Sequence, residues 1–515
     1  MFLTADSSRT EVNDNQQERI PDLYPSPLND EENAVPSSDE DEKGNRTGSY
    51  EVDWDGPDDK ANPRNWSNLY KAWQTFILGM LALAASLGSS IIAPAETEVA
   101  RYVGVSTETS VLTISLYVLG FALGPSIWAP ISEIWGRRWS MLPAVFVLGL
   151  FSIATAVGKN AETIFITRFF AGVFGSAPVS NVSAALGDLY EPKARGTAVT
   201  FYAIAVVGGP TLGPIIGSAL VVNKHLGWRW TEYIEAIWTF AIFTLALFAM
   251  PEMYAPVLLK NKAQRLRKET GNQSWHHSQE DIKITPKTIV TKHFSRPIIM
   301  LTTEPMVTAI AIYASFVYAL LYLTLEVFPI VFEEERGWSP VVGSLPFLGL
   351  FLGVCSAVVI NLANQPRYAR IMDAANGKPV PEARLAPMAV GGILFAIGLF
   401  WFGWTANPKI SWISPVFAAG FIGAGFNVIF QQCINFLVDT YGLYAASAVS
   451  ANTLLRSFLG AGFPLIAMPM FHNLGVGPAM SVLGGIAVLA IPVPFIFMKY
   501  GLALRRKSKF APVFD

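Results

Sequence analysis

Residues 203–222 read AIAVVGGPTLGPIIGSALVV. The stretch is apolar, and about 20 helical residues are what a hydrocarbon core of about 30 Å requires of a spanning helix. Yet Gly208, Gly209, Gly213 and Gly217, with Pro210 and Pro214, crowd its middle. Interior glycine and proline cost roughly 1 and 3 kcal/mol relative to alanine in a helix. In a membrane such residues have a use. Small side chains let neighbouring backbones approach closely, and proline kinks the helix by removing a backbone hydrogen bond. Gly209, Gly213 and Gly217 recur every four residues and so form one smooth stripe.

The rest of the chain supports a membrane reading. Its 515 residues are 52% hydrophobic and 12% aromatic, with 15% charged, where soluble domains carry about 25% charged residues. Twelve apolar spans are expected near 72–95, 109–130, 140–158, 162–187, 197–222, 231–250, 298–329, 341–363, 386–405, 412–438, 446–471 and 475–498. Helices 7 and 10 are over-long for a bilayer. The net charge of −2 conceals an acidic residue set at 1–60, 17 acids against 5 bases, and a basic remainder. Loops holding Arg137, Arg138, Lys193, Arg195, Arg367, Arg370, Lys378 and Arg384 alternate with loops poor in basic residues. The basic side faces the cytoplasm by the positive-inside rule, which puts both termini there. No basic n-region followed by an apolar h-region opens the chain, so no cleaved signal peptide is expected.

Loop lengths divide the chain. Residues 1–68 read as a disordered acidic tail, 69–250 as a six-helix half, 251–297 as a cytoplasmic link, 298–498 as a second half and 499–515 as a closing tail. Six spans, a basic link and six spans suggest two parallel repeats with a substrate site between them. The glycine stripe is then expected to pack where the halves rock against each other. Cys355 and Cys433 lie in apolar spans and read as small core residues, with no disulfide framework or metal cluster. The pair His276 and His277 lies in the polar link and reads as solvated. The sequons at Asn45, Asn65 and Asn272 fall on the cytoplasmic side and are expected unmodified.

Three segments resemble motifs of the major facilitator superfamily. APISEIWGRRWSML, between helices 2 and 3, resembles its motif A, with Ala129 where a glycine is usual and Glu133 where an aspartate is. Gly136 permits the turn, Arg137 and Arg138 anchor the loop, and Glu133 is expected to form an ion pair or meet a helix terminus. ITRFFAGVFGSAP in helix 4 resembles motif B, whose arginine, here Arg168, is implicated in proton transfer. A charge inside an apolar span costs at least about 2.5–3.5 kcal/mol and marks a functional position, with snorkelling to the interface as the alternative. GGPTLGPIIG at 208–217 resembles motif C of proton-coupled exporters. WDGPDDKANPRNWS, PEMYAPVLL and the helix 7 and helix 11 segments are similar to fungal 12-spanner drug:proton antiporters.

The resemblance implies an all-α major facilitator fold of two six-helix pseudo-symmetric halves. It also implies a cavity near mid-membrane. Polar or aromatic candidates for its wall are Asn181 in helix 4, and Tyr313, Phe316, Tyr318 and Tyr322 in helix 7. Helix 10 adds Phe426, Asn427, Phe430, Gln431, Gln432 and Asn435, and helix 11 adds Asn452 and Arg456. Aromatic faces suit flat or cationic guests, and amides add adaptable hydrogen bonds. Candidate proton carriers are Glu304 and Glu326, with Asp188, Glu232, Glu235 and Asp439 placed nearer the interfaces. No phosphate-binding loop for ATP is present. The expectation is a proton-coupled exporter of small amphipathic compounds (drugs, toxins or a secondary metabolite) in the cell membrane, acting as a monomer. It should need no cofactor, metal or nucleic acid. An uptake symporter of the same fold and a non-transporting receptor are the alternatives. An enzyme is not expected, because no nucleophile, metal or cofactor constellation is present.

Overall fold

The computed structural model describes residues 50–277, 280, 295–376 and 378–511. The acidic stretch up to 49 with its sequon at Asn45, and link residues 278, 279 and 281–294, lie outside the described residues. Among those described, twelve helices are long and apolar enough to cross a membrane. Within these spans we label the main helical segments α1 (Asn68–Gly88), α2 (Leu112–Trp135), α3 (Arg137–Ala156), α4 (Ala161–Leu189), α5 (Pro192–Val221), α6 (Arg229–Ala249), α7 (Pro305–Pro329), α8 (Pro346–Ala374), α9 (Leu385–Thr405), α10 (Ile413–Tyr441), α11 (Ala445–Leu474) and α12 (Val476–Ala490), the last span continuing to Lys507. Local chemistry sets several of their ends. Ser67 and Asn160 cap α1 and α4 by accepting from the amides of Tyr70 and Thr163.

The elements depart from the hydropathy reading at four places. The over-long helix 7 is two helices, Arg296–Thr303 and α7, separated at Glu304 with φ −105° and ψ 101°. Pro305 has no amide hydrogen and disfavours helical geometry in the residue before it. Helix 8 runs to Ala374 rather than 363 through the polar run NQPRYARIMDA, and a helix Pro492–Lys507 follows α12. The polar link contains a further helix, Ala255–Thr270, which buries Leu259 and Ala263. Hydropathy windows do not detect helices that continue into water.

Packing repeats six helices on. In the first half α1 packs on α5, α2 and α3 on α4, and α3 on α6. In the second α7 packs on α11, α8 and α9 on α10, and α9 on α12. The halves meet along α2 with α11 and α5 with α8. The amide of Val52 donates to the His276 carbonyl at 2.9 Å, Lys262 pairs with Asp55 and Arg505 with Glu382. The first two join the segment before α1 to the link and the third joins the chain's end to the α8–α9 loop, and the even number of spans between these segments puts them on one face, the terminal face. On the distal face Arg336 donates to carbonyls of the α9–α10 loop, including Ile410 at 2.9 Å.

Candidate functional site

The soft helix α5 packs closely against α1. A Cβ at Gly209 would overlap Ser86 and the backbone leading to Leu87. One at Gly213 would overlap Ser90, and one at Gly217 the Ile91 carbonyl. Ser86 and Ser90 donate their hydroxyls to the carbonyls of Ala205 and Gly209, both at 3.2 Å. The stripe's partner is therefore α1 of the same half, which corrects the expectation that it packs at the boundary between halves. The neighbouring Gly208 does face that boundary, with the Phe351 ring of α8 at 3.2 Å from a Cβ there. Pro210 and Pro214 lie within α5, which remains one helix.

Beside this seam lies a buried polar cluster. Arg168 is 0% exposed, so it does not snorkel. Its Nε donates to the Thr113 carbonyl at 2.9 Å, its Nη1 pairs with Glu232 Oε1 at 3.1 Å, and its guanidinium sits 4.4 Å from the centre of the Tyr117 ring. Tyr117 donates to the Ala85 carbonyl at 2.7 Å. Glu235, one turn from Glu232, accepts from Thr239 at 3.2 Å. Helices α1, α2, α4 and α6 thus enclose one arginine and two carboxyl groups. Glu232 stands in the first turn of α6, and both it and Glu235 are 0% exposed. Next to the start of α6, Tyr102 of the short helix Glu96–Val103 packs on Trp228 and under the Arg229 guanidinium.

On the terminal face Gly136 turns the chain at φ +96°. Arg137 pairs with Asp188 at 2.8 Å, donates to Ser132 at 2.8 Å and stacks 4.6 Å from the Tyr254 ring centre. Arg138 donates to the Leu247 carbonyl at 2.7 Å. The carboxylate on the helix terminus is Glu252, not Glu133. It accepts from the amides of Arg137, Arg138, Met253 and Tyr254 at 2.9–3.1 Å, where an anion suits the N-terminus of α3. The second half repeats the pattern: Arg384 pairs with Asp439 at 3.0 Å and stacks on Tyr368, which donates to Asp439 at 2.8 Å. Arg195 of the first half approaches the same carboxylate at 3.6 Å.

This turn yields a stability prediction. A side chain at Gly136 would overlap the Glu252 carboxylate while holding an unfavourable φ. Gly136→Ala is expected to cost roughly 2–4 kcal/mol from left-handed strain and weakened charged hydrogen bonds. Thermal unfolding of the purified protein measures it. Adding Glu252→Ala should cost less than the two single changes together, because both break the same contact.

A cavity of about 320 Å³ opens between the halves. Its wall takes Glu133, Arg137, Asn181, Asp188, Phe430, Asn435 and Arg456 from the expected residues. Asn181 also donates to the Trp128 carbonyl at 3.2 Å. The other candidates lie elsewhere. Tyr313 is buried against Gly392 of α9, and Gln432 donates to Asn361 of α8 at 2.8 Å, inside the second half. Asn427 donates to the Val354 carbonyl. Gln431 and Asn452 are buried at 1% and 0% exposure. Tyr318 stacks with Phe430 behind the wall, and Tyr322 donates to Ser89 at 3.0 Å, tying α7 to the end of α1. Ser218 and Ser344 form a second hydroxyl pair between the halves at 2.8 Å. Glu304 accepts from Tyr441 and from the Lys509 amide, and Glu326 faces Glu96 across the distal side. The sequence reading missed Ser180, Tyr202, Ser450 and Thr453 of the wall. Ser180, Ser450 and Thr453 carry small hydroxyls that also serve packing in membrane helices, so nothing in their type singled them out, whereas Tyr202 met the aromatic criterion in a helix read only for its glycines.

Residues 78–464 match the family model described as Major Facilitator Superfamily. The multidrug transporter TPO1_2 of Candida glabrata is 44% identical over 468 residues, which are 90% of this chain and 80% of that protein. The efflux pump bik6 of Gibberella fujikuroi is 41% identical, covering 89% and 95%. The MFS-type transporter traF of Penicillium crustosum is 42% identical, covering 89% and 93%. Among solved structures, the proton:xylose symporter XylE bound to 6-bromo-6-deoxy-D-glucose superposes with a TM-score of 0.61 at 16% identity, covering 84% of this chain and 96% of that one. That likeness concerns the fold alone.

Proposed function

This chain belongs to the major facilitator superfamily, and from that premise we propose that it is a proton-driven exporter of small amphipathic organic compounds, moving between two access states. The observation that carries the reading is the fully buried Arg168–Glu232 pair beside the glycine-packed seam of α1 and α5. The relatives named as a multidrug transporter and an efflux pump support the direction of transport. Arg168 keeps its charge throughout. It serves as a fixed counter-charge, and Glu232 with its neighbour Glu235 carries the proton. The residues 136–138, with Glu133, act as a terminal-face latch. Halves 69–250 and 298–498 move as bodies about the cavity between them. The basic loops support a cytoplasmic terminal face by the positive-inside rule, and the reading takes the protein as a monomer in the cell membrane.

The energetics suffice. One proton entering down 100 mV supplies about 2.3 kcal/mol. At 1.4 kcal/mol per tenfold this supports roughly a fifty-fold gradient of a neutral substrate. Yeast lacking its own pumps and expressing this chain should accumulate less of a fluorescent amphipathic dye than the empty strain, and a protonophore should remove the difference. Equal accumulation in both strains counts against broad export. A difference that survives the protonophore counts against proton drive.

A further inference from the structure

Four arginines are buried among the described residues: Arg137, Arg168, Arg384 and Arg456. Three of them have a carboxylate, at 2.8, 3.1 and 3.0 Å. Arg456 has none. It is 4% exposed, and its Nε finds no hydrogen-bond partner in the described protein. Its guanidinium is held 4.7 Å from the ring centre of Tyr318 and 4.8 Å from that of Phe430. The residue stands eleven positions into α11, about 16 Å along its axis and so near mid-bilayer.

An arginine cannot shed its charge to escape burial. Two aromatic faces replace only part of the lost hydration, since they offer no acceptor to the N–H groups. The cavity provides what is missing. Arg456 lines it, one turn from Thr453, with Asn435 on the facing helix. The acids of the same wall, Glu133 and Asp188, belong to the terminal-face end, where Asp188 is already matched by Arg137. At its inner end the described wall is therefore cationic and aromatic.

We propose that this inner end is an anion subsite and that the preferred cargo is an aromatic organic acid. Its carboxylate or ionised phenol pairs with Arg456, and its ring lies against Phe430. The inference rests on the exporter reading for the word cargo, but the subsite stands on the unmatched charge. A quaternary ammonium on the same ring system is disfavoured there by like charge.

The test uses the full-length protein in lipid nanodiscs and three probes sharing one ring system: naphthoate, naphthamide and naphthyltrimethylammonium. Wild-type protein should bind naphthoate about tenfold or more tighter than the amide, with the cation weakest. Arg456→Gln should remove that preference while leaving amide binding within about twofold, and Arg456→Lys should restore part of it. Naphthoate binding no tighter than the amide in wild type overturns the proposal. So does an Arg456→Gln protein of unchanged melting temperature that loses both ligands equally. Should that variant fail to fold, wild-type charge preference decides alone. Dye export without charge preference would sink the subsite and spare the exporter. Charge preference without dye export would do the reverse.

Discussion

Arg168→Ala is expected to reduce export to the level of a membrane without the protein, a loss of at least about tenfold at equal surface amount. The guanidinium ties α2 to α6 through the Thr113 carbonyl and Glu232, and nothing else in the described cluster is positive. Without it, Glu232 cannot release a proton except by leaving a bare charge in a low-dielectric interior. Breaking one side of a buried pair also destabilises by about 3–5 kcal/mol, so folding and mechanism must be separated. The double variant Arg168→Gln with Glu232→Gln removes both charges at similar volume. It should melt near the wild-type temperature and still fail to concentrate substrate. Glu232→Gln alone should retain substrate-for-substrate exchange in proteoliposomes but lose its response to an imposed pH gradient. A pH response that persists in Glu232→Gln would exclude Glu232 as the carrier.

Gly209→Val has the second large effect, and it falls on folding. The added side chain would meet the backbone of α1 at Ser86 and Leu87, which cannot rotate away. It would also break the hydrogen bond from Ser90 to the Gly209 carbonyl. Overpacking costs typically about 1–3 kcal/mol and more where backbone must move, so a fall in melting temperature of a few degrees and a lower yield are expected. Gly208→Val meets the side chain of Phe351 across the boundary and should fold, with slower transport. Gly462→Val has open space around its site and should do neither. Equal stability of the Gly209 and Gly462 variants would refute the close seam of α1 and α5.

These residues also show what the sequence made legible. The four-residue period of Gly209, Gly213 and Gly217 announced a smooth face, because helical geometry alone creates it. Which helix covers that face depends on packing, and α1 rather than the opposite half does so. Arg168 stood out because a charge in an apolar span has few explanations. Its partner did not, since Glu232 is 64 positions away and near the start of its own helix. Helix 10 misled for a related reason. Amides there avoid lipid as expected, but Gln432 achieves this by pairing with Asn361 rather than by facing a cavity. By contrast the break before α7 was available in principle, since Pro305 excludes Glu304 from helical geometry.

The two hydroxyl pairs that join the halves on the distal side, Tyr322 with Ser89 and Ser218 with Ser344, bear on turnover. Neutral hydrogen bonds contribute about 0.5–1.5 kcal/mol each, and water satisfies both partners equally well once they separate. Wetting this seal therefore costs about 1–3 kcal/mol, the same order as the work available from a single ion crossing the membrane. A seam closed by ion pairs would strand charges at each opening. Closed by hydroxyls, the distal seam opens at the pace of water entry with little held back there, whereas the terminal face keeps the Arg195–Asp439 pair between the halves.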